Sequence, residues 1–470
     1  MNEWLTTILI VLPLGAALAV WLLPWSAQAA GSLALLAALI EVGIWVNALI
    51  RFDFEAGLQF AQRENWFEDL GVSYHVGLYG FSLWLVGMAV VVLAAAIAYA
   101  FWAGRERPRA YFGLMLFLTS AVVGVFSAQD LLVFYVFFEA MLIPLYVLVG
   151  VWGGAGRLTA TIKFVIYTMT GSLLMLAAIV VWGVQRGSFD LATGPSSDNE
   201  WLFLGFVVAF AVKAPLFPLH GWLPDAYRES SPEVAAVLSG VVSKAAGYGF
   251  LAIAVTQFPG PAEDLQPLVL ALATFGLVYG SIVAFRAPDV RGVIAYSSLA
   301  QMSLITIGIF ALNELGSVGA VLQMVNHGLL SGALFLIAGV IERRAATGDF
   351  ARLGGMARGR PALATLLMTT GVIALAVPGS TAFAGEFLIL AGVFDEGWGW
   401  AVAGAAAIVL AAMYMLRLIS AVLHGQVGTS VPDEALDLRP AELAVVVPLV
   451  ACLLALSAWP AAITEHLTFG

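Results

Sequence analysis

The chain has 470 residues, 61% of them hydrophobic and 11% charged, with a formal net charge of -10. A composition this apolar excludes a water-soluble globule, which could not cover its own surface with polar groups, and leaves the lipid bilayer as solvent. The single cysteine, Cys452, excludes an internal disulfide and a cysteine-ligated iron–sulfur cluster within one chain. The five histidines are scattered without metal-ligand spacing.

Apolar runs of about 20 residues, the length that crosses a hydrocarbon core, recur from Trp4 to Leu467 with short polar breaks. The expected helices cover 4–24, 29–50, 76–102, 109–128, 131–152, 159–185, 200–220, 230–257, 265–286, 290–311, 315–342, 362–392, 398–424 and 440–467. The first run lacks a basic leader and a small-residue cleavage site, so it reads as a retained helix. The runs are long and apolar on all faces, which argues against the short alternating strands of a barrel. The fold class expected is an all-α integral membrane protein of about fourteen transmembrane helices. No Rossmann or P-loop pattern appears beside a βαβ unit, so nucleotide and redox chemistry are expected in other chains, with no cofactor or metal in this one. Nucleic acid is not an expected partner.

Loop arginines sort into two sets. One holds Arg105, Arg107, Arg109, Arg157, Arg228, Arg286, Arg291, Arg343, Arg344, Arg352, Arg358, Arg360 and Arg439; the other holds only Arg51, Arg63 and Arg186. The excess of basic residues marks the cytoplasmic side, which puts both termini outside. Two segments read as interrupted helices: AVKAPLFPLHGWLP at 211–224 and AVPGSTAFAGEF at 376–387. Proline removes an amide donor and clashes with the preceding turn. In lipid such a break survives only against protein or water. Two breaks about 165 residues apart are expected at matching places in two inverted five-helix repeats, with the working site at the midplane. The alternative is an ordinary kink or loop. The expected divisions are 1–108, 109–257 and 258–424 for helices one to three and the two repeats, then 425–470 for the last helix.

The three lysines, Lys163, Lys213 and Lys244, all lie within expected helices, while every loop cation is arginine. A desolvated lysine can exchange its proton where arginine cannot. Lys213 and Lys244 lie about thirteen and fourteen residues into their helices, roughly 20 Å deep at 1.5 Å per residue. A charge there is costly unless paired, and Glu139 is the natural partner, either as a switch or as a static ion pair. His327 can relay a proton between repeats or serve as a packing residue. Glu386 follows the second break, as the last buried acid on a path outward or as a helix cap. His220 and Asp225 fall at the first break, where a structural hydrogen bond competes with proton transfer. Lys163 can also snorkel to the surface, as can Arg417. Glu41 lies deep in the second helix without an evident partner.

The runs DLLVFYVFFEAMLIPLYVLVGVWGG (130–154), IKFVIYTMTGSLLML (162–176) and AFAVKAPLFPLHGWLPDAY (209–227) resemble the antiporter-like, proton-translocating subunits of NADH:quinone oxidoreductase, respiratory complex I. EAMLIPLY in the fifth helix, GVSYHVGLYGFSL (71–83) and GEF (385–387) resemble the subunit M branch. The resemblance covers almost the whole chain. It implies Glu139 and Lys213 as a coupled pair, Lys244 as the central relay, His327 as the bridge and Glu386 as the exit acid. It also implies flavin, iron–sulfur and quinone sites in partner subunits, sister subunits L and N as neighbours, and a bacterial plasma membrane. Gln301 stands where many relatives have histidine, and Tyr227 replaces the usual histidine after WLPDA. An Mrp-type cation/proton antiporter, or a membrane subunit of a hydrogenase-like or carbon-uptake complex, shares the fold.

Overall fold

The computed structural model describes residues 3–192, 196–432, 434, 436–467 and 469. Helices α1 (Leu5–Leu22) and α2 (Ala27–Arg51) lead into an antiparallel hairpin, β1 (Gln59–Phe67) and β2 (Val72–Leu78). Then follow α3 (Gly80–Ala103), α4 (Pro108–Ser127), α5 (Leu131–Trp152) and α6 (Arg157–Arg186). Next come α7 (Glu200–Lys213), α8 (Leu223–Glu229), α9 (Pro232–Val255), α10 (Pro259–Arg286), α11 (Val290–Ile309) and α12 (Glu314–Ala345). The chain continues through α13 (Pro361–Ala374), α14 (Thr381–Glu396), α15 (Trp398–Leu423), α16 (Pro440–Ala458) and α17 (Ala461–Thr464). Twelve helices among the described residues are long and apolar enough to cross a membrane. The protein is therefore an all-helical membrane protein with one small hairpin.

Several boundaries differ from expectation for local reasons. Residues 76–78 belong to β2, so the third helix starts at Gly80, where the Tyr79 amide is capped by Ser82 Oγ at 2.9 Å. The helix expected over 200–220 stops at Lys213, because Pro215 cannot supply the next amide. The carbonyls freed there find new donors: Ala211 O takes the Leu216 amide at 2.8 Å and Val212 O takes the Trp222 indole at 2.9 Å. The helix expected over 362–392 is likewise two pieces, α13 and α14. Between them Ala376 and Gly379 have positive φ, and Ser380 caps the second piece by accepting from the Phe383 amide. The last expected helix ends at Ala458.

Helices α3, α4, α9, α11 and α12 form the interior, and the apolar stretch of α12 is wholly buried. The outer helices α1, α2, α6 and α10 present Leu36, Leu39, Ile162, Ile166, Leu268 and Phe275 outward. At one end of the bundle, ion pairs join Arg105 to Glu233, Arg228 to Asp289, Arg291 to Glu342 and Arg344 to Glu442. All four arginines come from the arginine-rich loop set. The hairpin belongs to the opposite set of loops, where Asp190 receives Arg63 at 3.0 Å and His75 at 2.9 Å.

Candidate functional site

Helix α9 is not regular. Two π-helical stretches, Leu238–Val242 and Phe250–Val255, flank the α-helical segment Ser243–Gly249 that carries Lys244. Such widened turns re-aim side chains and recur at functional sites. Glycines let this helix approach α12 closely: a Cβ on Gly240 would stand 2.8 Å from the Gly328 carbonyl, and one on Gly328 would stand 2.8 Å from the Gly240 carbonyl. The close approach puts the Lys244 ammonium 2.5 Å from His327 Nδ1. Its other contacts are the Ser239 carbonyl at 2.6 Å and Ser243 Oγ at 3.2 Å. Both Lys244 and His327 are buried. When the lysine is charged its ammonium donates, Nδ1 accepts and the imidazole carries its proton on Nε2.

Beyond the histidine, a chain of amides crosses to the second helix break. Thr381 Oγ1 donates to Asn326 Oδ1 at 2.7 Å, and Asn326 Nδ2 donates to the Thr381 carbonyl at 2.8 Å and to Gln323 Oε1 at 3.3 Å. Gln323 donates to Gln301 Oε1 at 2.7 Å, and Gln301 donates to Glu386 Oε1 at 2.9 Å. Thus Gln301 and Glu386 meet directly. Because Ser380 is the N-cap of α14, Glu386 sits in its second turn and does not cap it. Two polar atoms along this line have no partner among the described residues, His327 Nε2 and Glu386 Oε2. Gln323 and Asn326 escaped the sequence reading, although their spacing with His327 puts three polar groups on one stretch of an apolar helix.

The expected ion pair between Glu139 and Lys213 is not formed. Lys213 ends α7, and its ammonium donates to the Phe138 carbonyl at 2.9 Å and lies 3.5 Å from the Phe138 ring centroid. A cation over a ring face and on a carbonyl is satisfied without a carboxylate. Glu139, the next residue, is half-buried, and its charge still reaches Lys213. Helix α5 is irregular at Met141, two residues on, because Pro144 has no amide to offer Ala140.

Lys163 and Asp225 form an ion pair at 2.8 Å, both partly exposed. His220 is not joined to them by a hydrogen bond: its ring packs against Phe217 and Tyr279, which also touch each other, and its buried Nδ1 has no partner among the described residues. Glu41 is buried with both carboxylate oxygens unpartnered among the described residues. Arg417 donates to the Phe285 and Ala287 carbonyls at 2.6 and 2.8 Å, closing the C-terminal end of α10.

At the hairpin end, burial alone would raise the Asp190 carboxyl. The His75 hydrogen bond, the Ala192 amide and the Arg63 charge outweigh it and hold the carboxyl below the usual range. Asp130 accepts from the Ser73, Leu132 and Val133 amides, which tie the hairpin to the start of α5.

A helical bundle that buries ionisable side chains in its interior, near points where helices stop, is the build of an ion-translocating membrane protein. The chain belongs to the NADH:quinone oxidoreductase/Mrp antiporter transmembrane family, whose pattern matches residues 128–413. It is 36% identical to the NADH-quinone oxidoreductase subunit M of Rhodobacter capsulatus, over 98% of this chain and 94% of that one. The subunit M of Mycobacterium tuberculosis is 35% identical over 97% of this chain and 91% of its own. Among solved structures, a chain of respiratory complex I from Thermus thermophilus with bound NADH superposes with a TM-score of 0.90 at 29% identity, covering 98% of this chain and 97% of that chain. A chain of the Mrp complex from Dietzia shares the fold, with a TM-score of 0.85 at 19% identity, over 98% of this chain and 52% of that chain.

Proposed function

We propose that this chain is the proton-translocating subunit M of a respiratory complex I, coupling quinone reduction in partner subunits to proton movement through its own interior. The observation that carries the reading is the buried contact of 2.5 Å between Lys244 and His327, with a separate hydrogen-bonded amide chain from the neighbouring Asn326 to Glu386. Lys244 takes the central relay role, His327 the bridge, and Glu386 the exit-side acid. Gln301 orients Glu386 and the water around it. Glu139 modulates Lys213 through its field, and the two meet directly in another state of the cycle. Lys163, Asp225 and His220 line an accessory route at the first break.

The two pieces α7 with α8 and α13 with α14 each count as one interrupted span, which brings the twelve to fourteen. Residues 109–257 and 258–424 form two inverted repeats, flanked by 1–108 and 425–470. An internal correspondence supports this. Asp130 and Asp190 form an isolated antiparallel bridge, as do Asp289 and Asp349, and Asp130 and Asp289 are the N-caps of α5 and α11. The arginine-rich end faces the cytoplasm of a bacterial plasma membrane, with both termini outside. Subunits L and N are the neighbours, and flavin, iron–sulfur clusters and quinone are held elsewhere in the complex. The Mrp-type reading is weaker, because the identity to that complex is 19% against 36% to a subunit M.

The test has two parts. Purified from native membranes, the chain is expected to bring flavin, iron–sulfur and quinone-site subunits with it; a complex without them would support the antiporter reading instead. In membrane vesicles, Glu139→Gln and Lys244→Met are each expected to leave assembly intact and abolish most proton pumping. Wild-type pumping in Lys244→Met would remove that lysine from the path.

A further inference from the structure

Helix α12 finishes, and α13 and α16 begin, at the arginine-rich end of the bundle. Asp437 holds the two helix starts together, accepting from the Ala362 and Leu363 amides of α13 at 2.8 and 3.1 Å. Beside them lies a cavity of about 230 Å³, which also reaches Trp102 at the end of α3. Its charged lining is four arginines, Arg343, Arg344, Arg360 and Arg439, against two glutamates, Glu434 and Glu442, an excess of positive charge. Both oxygens of Glu442 are taken by Arg344, at 2.8 and 2.7 Å. Among the described residues, no carboxylate lies within ion-pair distance of Arg343, Arg360 or Arg439.

Arg360 is only 3% exposed. Its guanidinium donates to the Pro432, Glu434 and Arg358 carbonyls at 2.9, 3.1 and 3.3 Å, and its Nε has no partner among the described residues. Carbonyls satisfy N–H groups without neutralising a charge, and a buried cation left uncompensated is costly. Arg343 packs over the Trp102 ring, 4.5 Å from its centroid, and Arg439 is exposed. Such a lining calls for an anion with several acceptor oxygens. Phosphate is that anion, because it accepts from more than one guanidinium fork at once.

Along the same two helices, apolar side chains face outward. Met368 of α13 and Val447 of α16 are both exposed, each seven residues beyond the proline that opens its helix. At the helical rise that is about 10 Å, within the roughly 15 Å of hydrocarbon that one leaflet provides. Met368, Val372 and Leu454 also line an apolar groove of about 390 Å³ between these helices. Tryptophan favours the boundary between headgroups and acyl chains, and basic pockets between membrane helices seat anionic headgroups. We propose that the cavity binds the phosphate headgroup of an anionic phospholipid, whose acyl chain lies against the outward faces of α13 and α16. A free phosphate or an acidic protein segment would use the arginines and leave those apolar faces unused. The site shares no residue with Lys244, His327 and Glu386, so it stands or falls apart from the proton path.

The experiment reconstitutes the purified complex into phosphatidylcholine vesicles that carry a trace of phosphatidylglycerol with a photoactivatable group on its acyl chain. After illumination, labelled peptides are mapped by mass spectrometry. Label is expected on the peptides of α13 and α16, and unlabelled phosphatidylglycerol is expected to compete it away. The triple variant Arg343→Gln, Arg360→Gln, Arg439→Gln is expected to lose labelling there by at least on the order of tenfold, since each basic residue adds to the attraction for an anionic lipid. Should the triple variant fail to assemble, Arg343→Gln with Arg439→Gln carries the test, because both side chains are exposed. Equal labelling by a phosphatidylcholine probe would make the lipid a non-specific neighbour and overturn the site, as would wild-type labelling in the arginine variants. Loss of label on adding millimolar inorganic phosphate, with phosphatidylglycerol no better a competitor, would assign the cavity to the free anion and overturn the lipid. A density map of the assembled complex with a partner's acidic side chain in the cavity would overturn it as well.

Discussion

Lys244 and Glu386 show how differently single ionisable residues can be held inside one bundle. Lys244 touches a histidine, a carbonyl and a hydroxyl, all neutral acceptors, so nothing near it fixes its charge by pairing. Glu386 accepts one amide hydrogen bond and keeps its second oxygen free of partners among the described residues. Asp190 is the opposite case, a carboxylate pinned by His75 and Arg63. Its folded pKa lies below the usual value near 3.9. The stabilisation it provides is therefore fully present above about pH 4 and lost as pH falls through the folded value. Asp190→Asn is expected to lower the thermal stability of the complex at pH 7 by about 1–3 kcal/mol, with the difference from wild type shrinking at low pH. A difference that did not change with pH would mean the aspartate acts through shape alone.

At the scale of elements, the contact between α9 and α12 decides whether Lys244 can reach His327. Those helices touch through bare backbone, since a Cβ on Gly240 would meet the Gly328 carbonyl at 2.8 Å. A carbonyl in a helix cannot swing away as a side chain can. Gly240→Ala is expected to force the π-helical segment off α12, at about 1–3 kcal/mol for overpacking, and to lengthen the contact between lysine and histidine. Thermal melting of the purified complex and pumping per assembled complex read the two effects. A variant that melts lower but pumps normally would show that the close approach serves packing only. The breaks after Lys213 and before Thr381 belong to this scale too. Freed backbone groups there are taken up by the Trp222 indole and by Ser457 Oγ, so protein and not lipid satisfies them.

In the whole molecule, the arginine-rich end works as a clamp. Arg344 of α12 binds Glu442 of α16 through two hydrogen bonds at 2.8 and 2.7 Å, and also binds the Leu436 and Asp437 carbonyls. Glu442 is buried. Arg344→Ala would leave that carboxylate buried and uncompensated, a change that costs about 3–5 kcal/mol. The expected result is a sharp loss of assembled complex, partly recovered by the second change Glu442→Gln. An absence of recovery in the double variant would locate the role of Arg344 in its carbonyl contacts instead. The bundle is also inverted relative to a water-soluble one. Its least hydropathic long helices, α9 and α11, are among the most buried, while α2 and α16 are more hydropathic and face outward. Lipid cannot solvate a serine, lysine or glutamine, so such residues are driven inward.

The amino-acid sequence by itself determined the solvent, the helical class and most helix positions, because length and hydropathy of a run suffice to place it in a bilayer. Proline and glycine also stand where helices stop, after Lys213 and before Thr381, because their effect on the backbone is local. What only the tertiary structure decided is who meets whom. Lys213 turns to a carbonyl and a ring instead of Glu139, Gln301 turns to Glu386, and Asn326 and Gln323 fill the space between His327 and the second break. The hairpin of 59–78 is likewise invisible in the sequence, and the last three residues of its second strand fall inside the span expected for the third helix. Such pairings depend on the rotation of each helix and on which glycines allow close approach. Those are relations between distant segments, and no single run of apolar residues carries them.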